Sequence, residues 1–114
     1  MESERSTEEQ AALFAVLADP TRLKLVKLLR QQRDSSALCV NALAGFLGVT
    51  QSAVSQHLRV LKSIGLVKGE RRGYRVHYFI NPNVLERCRI LASDALSIEE
   101  PFEKQKATSR ESGK

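Results

Sequence analysis

Residues 50–78, TQSAVSQHLRVLKSIGLVKGERRGYRVHY, admit few folds. Thr50 carries a hydroxyl suited to capping a helix N-terminus. From there Val54, Leu58 and Leu61 recur at i, i+4 and i+7, with Ile64 three further on, the apolar stripe of an amphipathic helix. The opposite side carries Ser52, Ser55, Gln56, Arg59, Lys62 and Ser63. Gly65 closes the helix, as glycine does where a left-handed cap is needed. Two short β-like runs follow, Leu66 to Lys68 and Tyr74 to Ile80, joined by the turn-prone Gly69-Glu70-Arg71-Arg72-Gly73. Such a helix face is fit to read base edges in a major groove, and such a hairpin to grip backbone phosphate.

The charge is placed to match. Residues 51–78 hold Arg59, Lys62, Lys68, Arg71, Arg72 and Arg75 against Glu70 alone, which accounts for the whole net charge of +5. A local excess of that kind is an electrostatic footprint for a polyanion. The chain's 114 residues, 42% of them hydrophobic, suit one domain with a compact core.

The acidic start, MESERSTEEQ, is no signal peptide, and no apolar run approaches a membrane span. Cys39 and Cys88 are too few and too far apart for a disulfide framework, so reduced thiols and a cytoplasmic setting are expected.

Along the chain, residues 1–5 read as a frayed start and Ser6 or Thr7 as the cap of a first helix bearing Leu13, Phe14, Val16 and Leu17. Asp19-Pro20 opens a second helix, with Leu23, Leu25, Val26, Leu28 and Leu29 inward and Arg22, Lys24, Lys27 and Arg30 toward water. After a polar connection, Leu38 to Leu47 reads as a short helix burying Val40, Leu43, Ala44 and Leu47, and Gly48-Val49 turns into the helix at Thr50. Asn81-Pro82 starts a last helix with Val84, Leu85, Cys88, Leu91, Ala92, Ala95 and Leu96 on one broad apolar face. Residues 99–114 have only Phe102 to bury and read as a disordered tail.

The expected fold is therefore mainly α with a small β-hairpin: a winged helix-turn-helix, ordered α-α-α-α-β-β-α, over residues 6–98. The first and last helices carry more apolar surface than so small a core covers, so they are expected to pair across a two-fold axis. Two reading helices would then lie about one turn of DNA apart, on a palindromic operator.

The runs ALADPTRLKLVKLL and LCVNALAGFLGVTQSAVSQHLRVLKSIGLV, with the Arg-rich hairpin ending in YRVHYFINP, resemble the ArsR/SmtB family of winged-helix repressors across about residues 11–98. D-P-T-R, S-x-x-S-Q-H-L-x-x-L and the wing occur together and in order. The resemblance implies a homodimeric repressor that binds operator DNA and is released by an inducer, usually a metal or metalloid ion. Carried over residue by residue, it assigns DNA contact to Gln51, Ser52, Ser55, Gln56, Arg59 and Lys62 on the helix and to Arg71, Arg72 and Arg75 in the wing. Gln56 suits a bidentate contact to adenine and Arg59 one to guanine or phosphate; Ser52 and Ser55 suit phosphate at the helix N-terminus. His57 falls off that face and reads as a packed histidine.

At the inducer site the chain departs from the family. Metalloid sensors show E-L-C-V-C-D-L where this chain reads Ala37-Leu38-Cys39-Val40-Asn41-Ala42-Leu43, which keeps one cysteine. The zinc-sensor positions of the last helix become Asn81, Asn83, Asp94 and Ser97, and amides are poor zinc ligands. A metal or metalloid cofactor stays open, but neither familiar ligand set is complete. What remains is a pair of thiols: Cys39 is the candidate inducer residue, able to join Cys88 of the same or the partner subunit, while Cys88, on the apolar stripe with Val84 and Leu91, reads first as a small core or interface residue. Three functions stay in view: a repressor with a thiol or non-standard metal input, a DNA-binding regulator with no small-molecule input, and a winged helix used as a protein-interaction module. An enzyme is not expected, since no Gly-rich phosphate loop or nucleophile–base spacing occurs.

Overall fold

The computed structural model describes residues 2–31 and 38–98. Five helices and three short strands follow in the order α1 (Glu2–Leu17), α2 (Pro20–Gln31), β1 (Leu38–Cys39), α3 (Val40–Leu47), α4 (Gln51–Ser63), β2 (Val67–Arg72), β3 (Arg75–Ile80) and α5 (Pro82–Leu96). This is the expected helix order with one strand added. The tail expected to be disordered, residues 99–114, lies outside the described residues.

Local chemistry sets most boundaries. The Asp19 carboxylate accepts from the amides of Thr21 (2.8 Å) and Arg22 (3.1 Å), capping α2 with Pro20 at its first position. Thr50 accepts from the Ala53 amide at 3.0 Å and opens α4. Gly48, at φ +67°, lets the chain reverse between α3 and α4. Gly65, at φ +77°, donates to the Lys62 carbonyl while the Leu66 amide reaches back to Leu61, a Schellman motif that ends α4. Asn81 caps α5 by accepting from Asn83 and Val84.

The core is built from α2, α3, α4 and the start of the hairpin. Leu25, Leu29, Leu43, Val54, Leu58, Leu61 and Leu66 are fully buried, and Leu13 of α1 and Cys88 of α5 close it from the side. Burying a Leu or Val side chain contributes about 1.5–3 kcal/mol, so this cluster fixes how α4 sits on the body. Ion pairing adds little: Arg87 meets Glu9 at 2.8 Å between α5 and α1, but both side chains are largely exposed.

Four expectations are corrected. Helix α1 begins at Glu2, ahead of the cap expected at Ser6 or Thr7, because ESERS holds no glycine or proline to stop the turns propagating backward. Leu38 and Cys39 form a strand, not helix: they pair with Tyr78 and His77, making a three-stranded antiparallel sheet in the order β1-β3-β2. Strand β2 runs on through Gly69 to Arg72, and the turn is only Gly73-Tyr74. Positive φ there is confined to Gly73, the pattern of a type II′ hairpin. In α2, Leu23 is exposed, whereas Arg22, expected to face water, is half-buried and hydrogen-bonded. No helix among the described residues is long and apolar enough to cross a membrane.

Candidate DNA-reading face

Helix α4 shows one face of buried Val54, Leu58 and Leu61 and another of exposed Gln51, Ser52, Ser55, Gln56, Arg59 and Lys62. Because the stripe is locked into the core, the polar set is held outward as a unit. The wing lies against this face at two places. Ser55, Arg59 and Lys62 share a polar groove with Tyr78 of β3, and the Lys62 ammonium stands 5.9 Å from the Tyr78 ring centroid. At the other, Gln51 and Arg75 line an open pocket of about 380 Å³ together with Cys39, Val40, Asn41, Val76 and Tyr78. Gln51 is oriented there by donating to the Asn41 side chain at 2.9 Å.

The wing arginines are not equivalent. Arg71 and Arg75 are exposed. Arg72 pairs with Glu70 at 3.0 Å and lies 5.0 Å from the Phe79 ring centroid, so it also braces the hairpin. Sequence reasoning missed Tyr74, which stands fully exposed at the turn between these arginines. The signal was present, a large side chain directly after the turn glycine, but only the turn's position shows that the ring projects from the tip.

Cys39 is the N-cap residue of α3, a place where helix amides converge on an anion. Its sulfur forms no capping hydrogen bond. The amide of Ala42, and then that of Asn41 and the charge of Arg75, nevertheless hold the thiol below its ordinary range, while burial works against them. Beside it across the sheet, His77 keeps its Nδ1 buried with no hydrogen-bond partner. Cys88 is the opposite case: burial pushes its thiol up. It lines a groove between α1 and α5 with Leu13, Ile64, Val84 and Leu91, sharing no lining residue with the Cys39 pocket. The structure thus places the two thiols in separate pockets.

The described residues of one subunit do not assemble a metal-ligand set. Among the described residues no three His, Cys, Asp or Glu side chains gather where an ion could sit. Asn81 is committed to capping α5, and the Cys39 sulfur has a cationic neighbour in Arg75.

The family model for bacterial regulatory proteins of the arsR family matches residues 19–68. The chain is 32% identical over 85 residues to an HTH-type transcriptional regulator of Methanocaldococcus jannaschii, spanning 74% of this chain and 92% of that protein. It is 43% identical over 76 residues to a transcriptional repressor SmtB homolog of Synechocystis, spanning 67% of this chain and 54%, about half, of that protein's length. Among solved structures, a homodimeric winged helix-turn-helix DNA-binding domain of Mycobacterium bovis matches with a TM-score of 0.64 at 29% identity, covering 83% of this chain and 86% of that one.

Proposed function

The chain belongs to the ArsR family of bacterial regulatory proteins, and on that premise we propose that it is a homodimeric, operator-binding repressor with the Cys39 thiol as its input. The observation that carries the DNA side is the continuous outer surface of α4 and the wing. Six hydrogen-bonding or cationic side chains stand opposite a fully buried stripe, flanked by Arg71 and Arg75. On this reading Gln56 and Arg59 contact base edges, Ser52 and Ser55 contact phosphate beside the α4 N-terminus, and Gln51 and Lys62 complete the helix face. Arg71, Arg72 and Arg75 grip backbone or minor groove. A protein-docking role fits less well, since the outer face of α4 presents Gln51, Ser52, Ser55, Gln56, Arg59 and Lys62 and no aromatic or aliphatic anchor. Acting on operator DNA implies a cytoplasmic protein.

Dimerisation is supported by α1 and α5, which pack on each other yet leave Ile90 and Leu96 exposed, and by the homodimeric Mycobacterium bovis domain. The thiol input is supported by place. Modification of Cys39 would introduce bulk and charge into a pocket whose walls include Gln51 and Arg75, two of the DNA-facing residues.

The test is a binding titration on the chain's own upstream DNA with reduced protein, peroxide, polysulfide, arsenite and zinc in parallel. Loss of binding with one agent in wild type, abolished in Cys39→Ser, is the expected result. Identical responses of wild type and Cys39→Ser refute the thiol input, and tight binding indifferent to every agent leaves a regulator without a small-molecule input.

A further inference from the structure

Of the polar residues of α4, His57 alone is not exposed. Its Nδ1 lies 3.3 Å from Nη1 of Arg22, in the first turn of α2. A guanidinium only donates, so His57 Nδ1 is the acceptor and the ring proton sits on Nε2. The same guanidinium donates through Nε to the carbonyl of Val16 in the last turn of α1. The amide of Arg22 is in turn bonded to Asp19, whose carboxylate also feels the Arg22 charge. One side chain therefore joins the end of α1, the start of α2 and the middle of α4. Helix α1 packs chiefly on α5 and α2 rather than on α4, so this link is a polar connection between the α1–α5 layer and the reading helix.

We propose that Arg22 is a positioning residue for DNA reading, which through His57 sets the orientation in which α4 presents its outer face relative to the α1–α5 layer. The proposal rests on the DNA-reading function above. The packing of Val54, Leu58 and Leu61 holds the polar face of α4 outward, and the Arg22 hydrogen bonds add a directional restraint that sets the finer orientation of the helix about its axis. Hydrogen bonds have preferred directions, and Arg22 supplies two that diverge from a planar fork. In a dimer the α1–α5 layers of both subunits would form the common frame, so a small rotation of each α4 moves both reading helices against fixed half-sites. Bidentate contacts to base edges are the interactions most sensitive to such a shift, while phosphate contacts are the least.

The test uses the full chain and a duplex that the wild type selects from a random library, with a scrambled duplex as control. Arg22→Lys keeps the charge but not the fork, His57→Phe removes the acceptor, and His57→Asn places an amide oxygen near the position of Nδ1. Arg22→Lys and His57→Phe are each expected to weaken binding to the selected duplex about tenfold, and the double variant no further than the poorer single one. Binding to the scrambled duplex and the salt slope stay as in wild type, and His57→Asn stays close to wild type. Selected-duplex affinities unchanged in both single variants, losses that add in the double, or His57→Asn as weak as His57→Phe would overturn the assignment. Should Arg22→Lys melt below the assay temperature, the His57→Phe and His57→Asn pair decides alone. A wild type that selects no duplex removes the DNA-reading function itself, an outcome distinct from selection followed by indifference of the variants.

Discussion

Gly69 and Tyr78 face each other across the hairpin, and it is the missing Cβ of the first that leaves room for the ring of the second. A Cβ on Gly69 would stand 3.1 Å from Tyr78 Cε1 and 2.8 Å from Val76 Cγ1. The ring so accommodated reaches toward Lys62 on α4 and shares a groove with the reading face. Valine is short and stiff at χ1 and has no easy way to yield. Gly69→Ala is therefore expected to destabilise the protein by about 1–3 kcal/mol, read as a lower urea midpoint with an unchanged slope. An unchanged midpoint would show that the hairpin relaxes freely around the methyl group.

Arginines on the two parts of the surface should fail differently. Arg59→Ala is expected to cost about 1–3 kcal/mol on a selected duplex and to relax preference at one base position. Arg71→Ala should weaken binding to all duplexes alike and reduce the slope of log affinity against log salt by about one unit. Arg72→Ala is expected to lower the melting temperature as well, because Arg72 also braces Glu70 and Phe79. A base-preference profile unchanged by Arg59→Ala would remove that residue from the reading set.

What was legible in the chain was what is local and periodic. Val54, Leu58 and Leu61 give the phase of α4 directly, and Asp19-Pro20, Thr50 and Gly65 mark helix ends through their own hydrogen bonds and backbone angles. What was not legible depends on partners distant in sequence. Leu38-Cys39 is too short for an alternating pattern and becomes a strand only because Tyr78 and His77 arrive beside it. Gly69 resembles a turn breaker until Tyr78 is seen to need its space. Arg22 has the helical phase of a solvent-facing residue, but its length lets it curl onto Val16 and His57. The exposed face of α4 was readable residue by residue, whereas the separation of Cys39 from Cys88 required the packing of α5 on α1.

The two thiols should differ in reactivity with a definite sign. The Ala42 amide, then the Asn41 amide and Arg75, favour the Cys39 thiolate, so its alkylation rate should rise with pH earlier than that of a free thiol. Burial disfavours the Cys88 thiolate, and its profile should rise later. Iodoacetamide at neutral pH, followed by peptide mass spectrometry, is expected to label Cys39 well ahead of Cys88, with the difference vanishing in denaturant. Arg75→Ala should move the Cys39 profile upward without reaching that of a free thiol, because the Ala42 amide remains. Equal native rates at the two positions would contradict the thiolate environment at the start of α3.

Ile90 and Leu96 test the dimer. Both are exposed on α5, Leu96 at 71%, and a glutamate at either is compatible with the folded subunit because neither belongs to its buried core. In a two-fold dimer built on α1 and α5, paired carboxylates would instead be brought together in an apolar contact, where unpaired charge is costly. The Ile90→Glu/Leu96→Glu variant is expected to sediment as a monomer with a nearly unchanged melting temperature at low concentration. Joining two half-site contacts through one dimer raises affinity by about 10²–10⁴ over a single contact. The variant should therefore lose most of its affinity for a palindromic duplex while binding an isolated half-site as the wild type does. A variant that remains dimeric and keeps its palindrome affinity would move the subunit contact away from this face of α5.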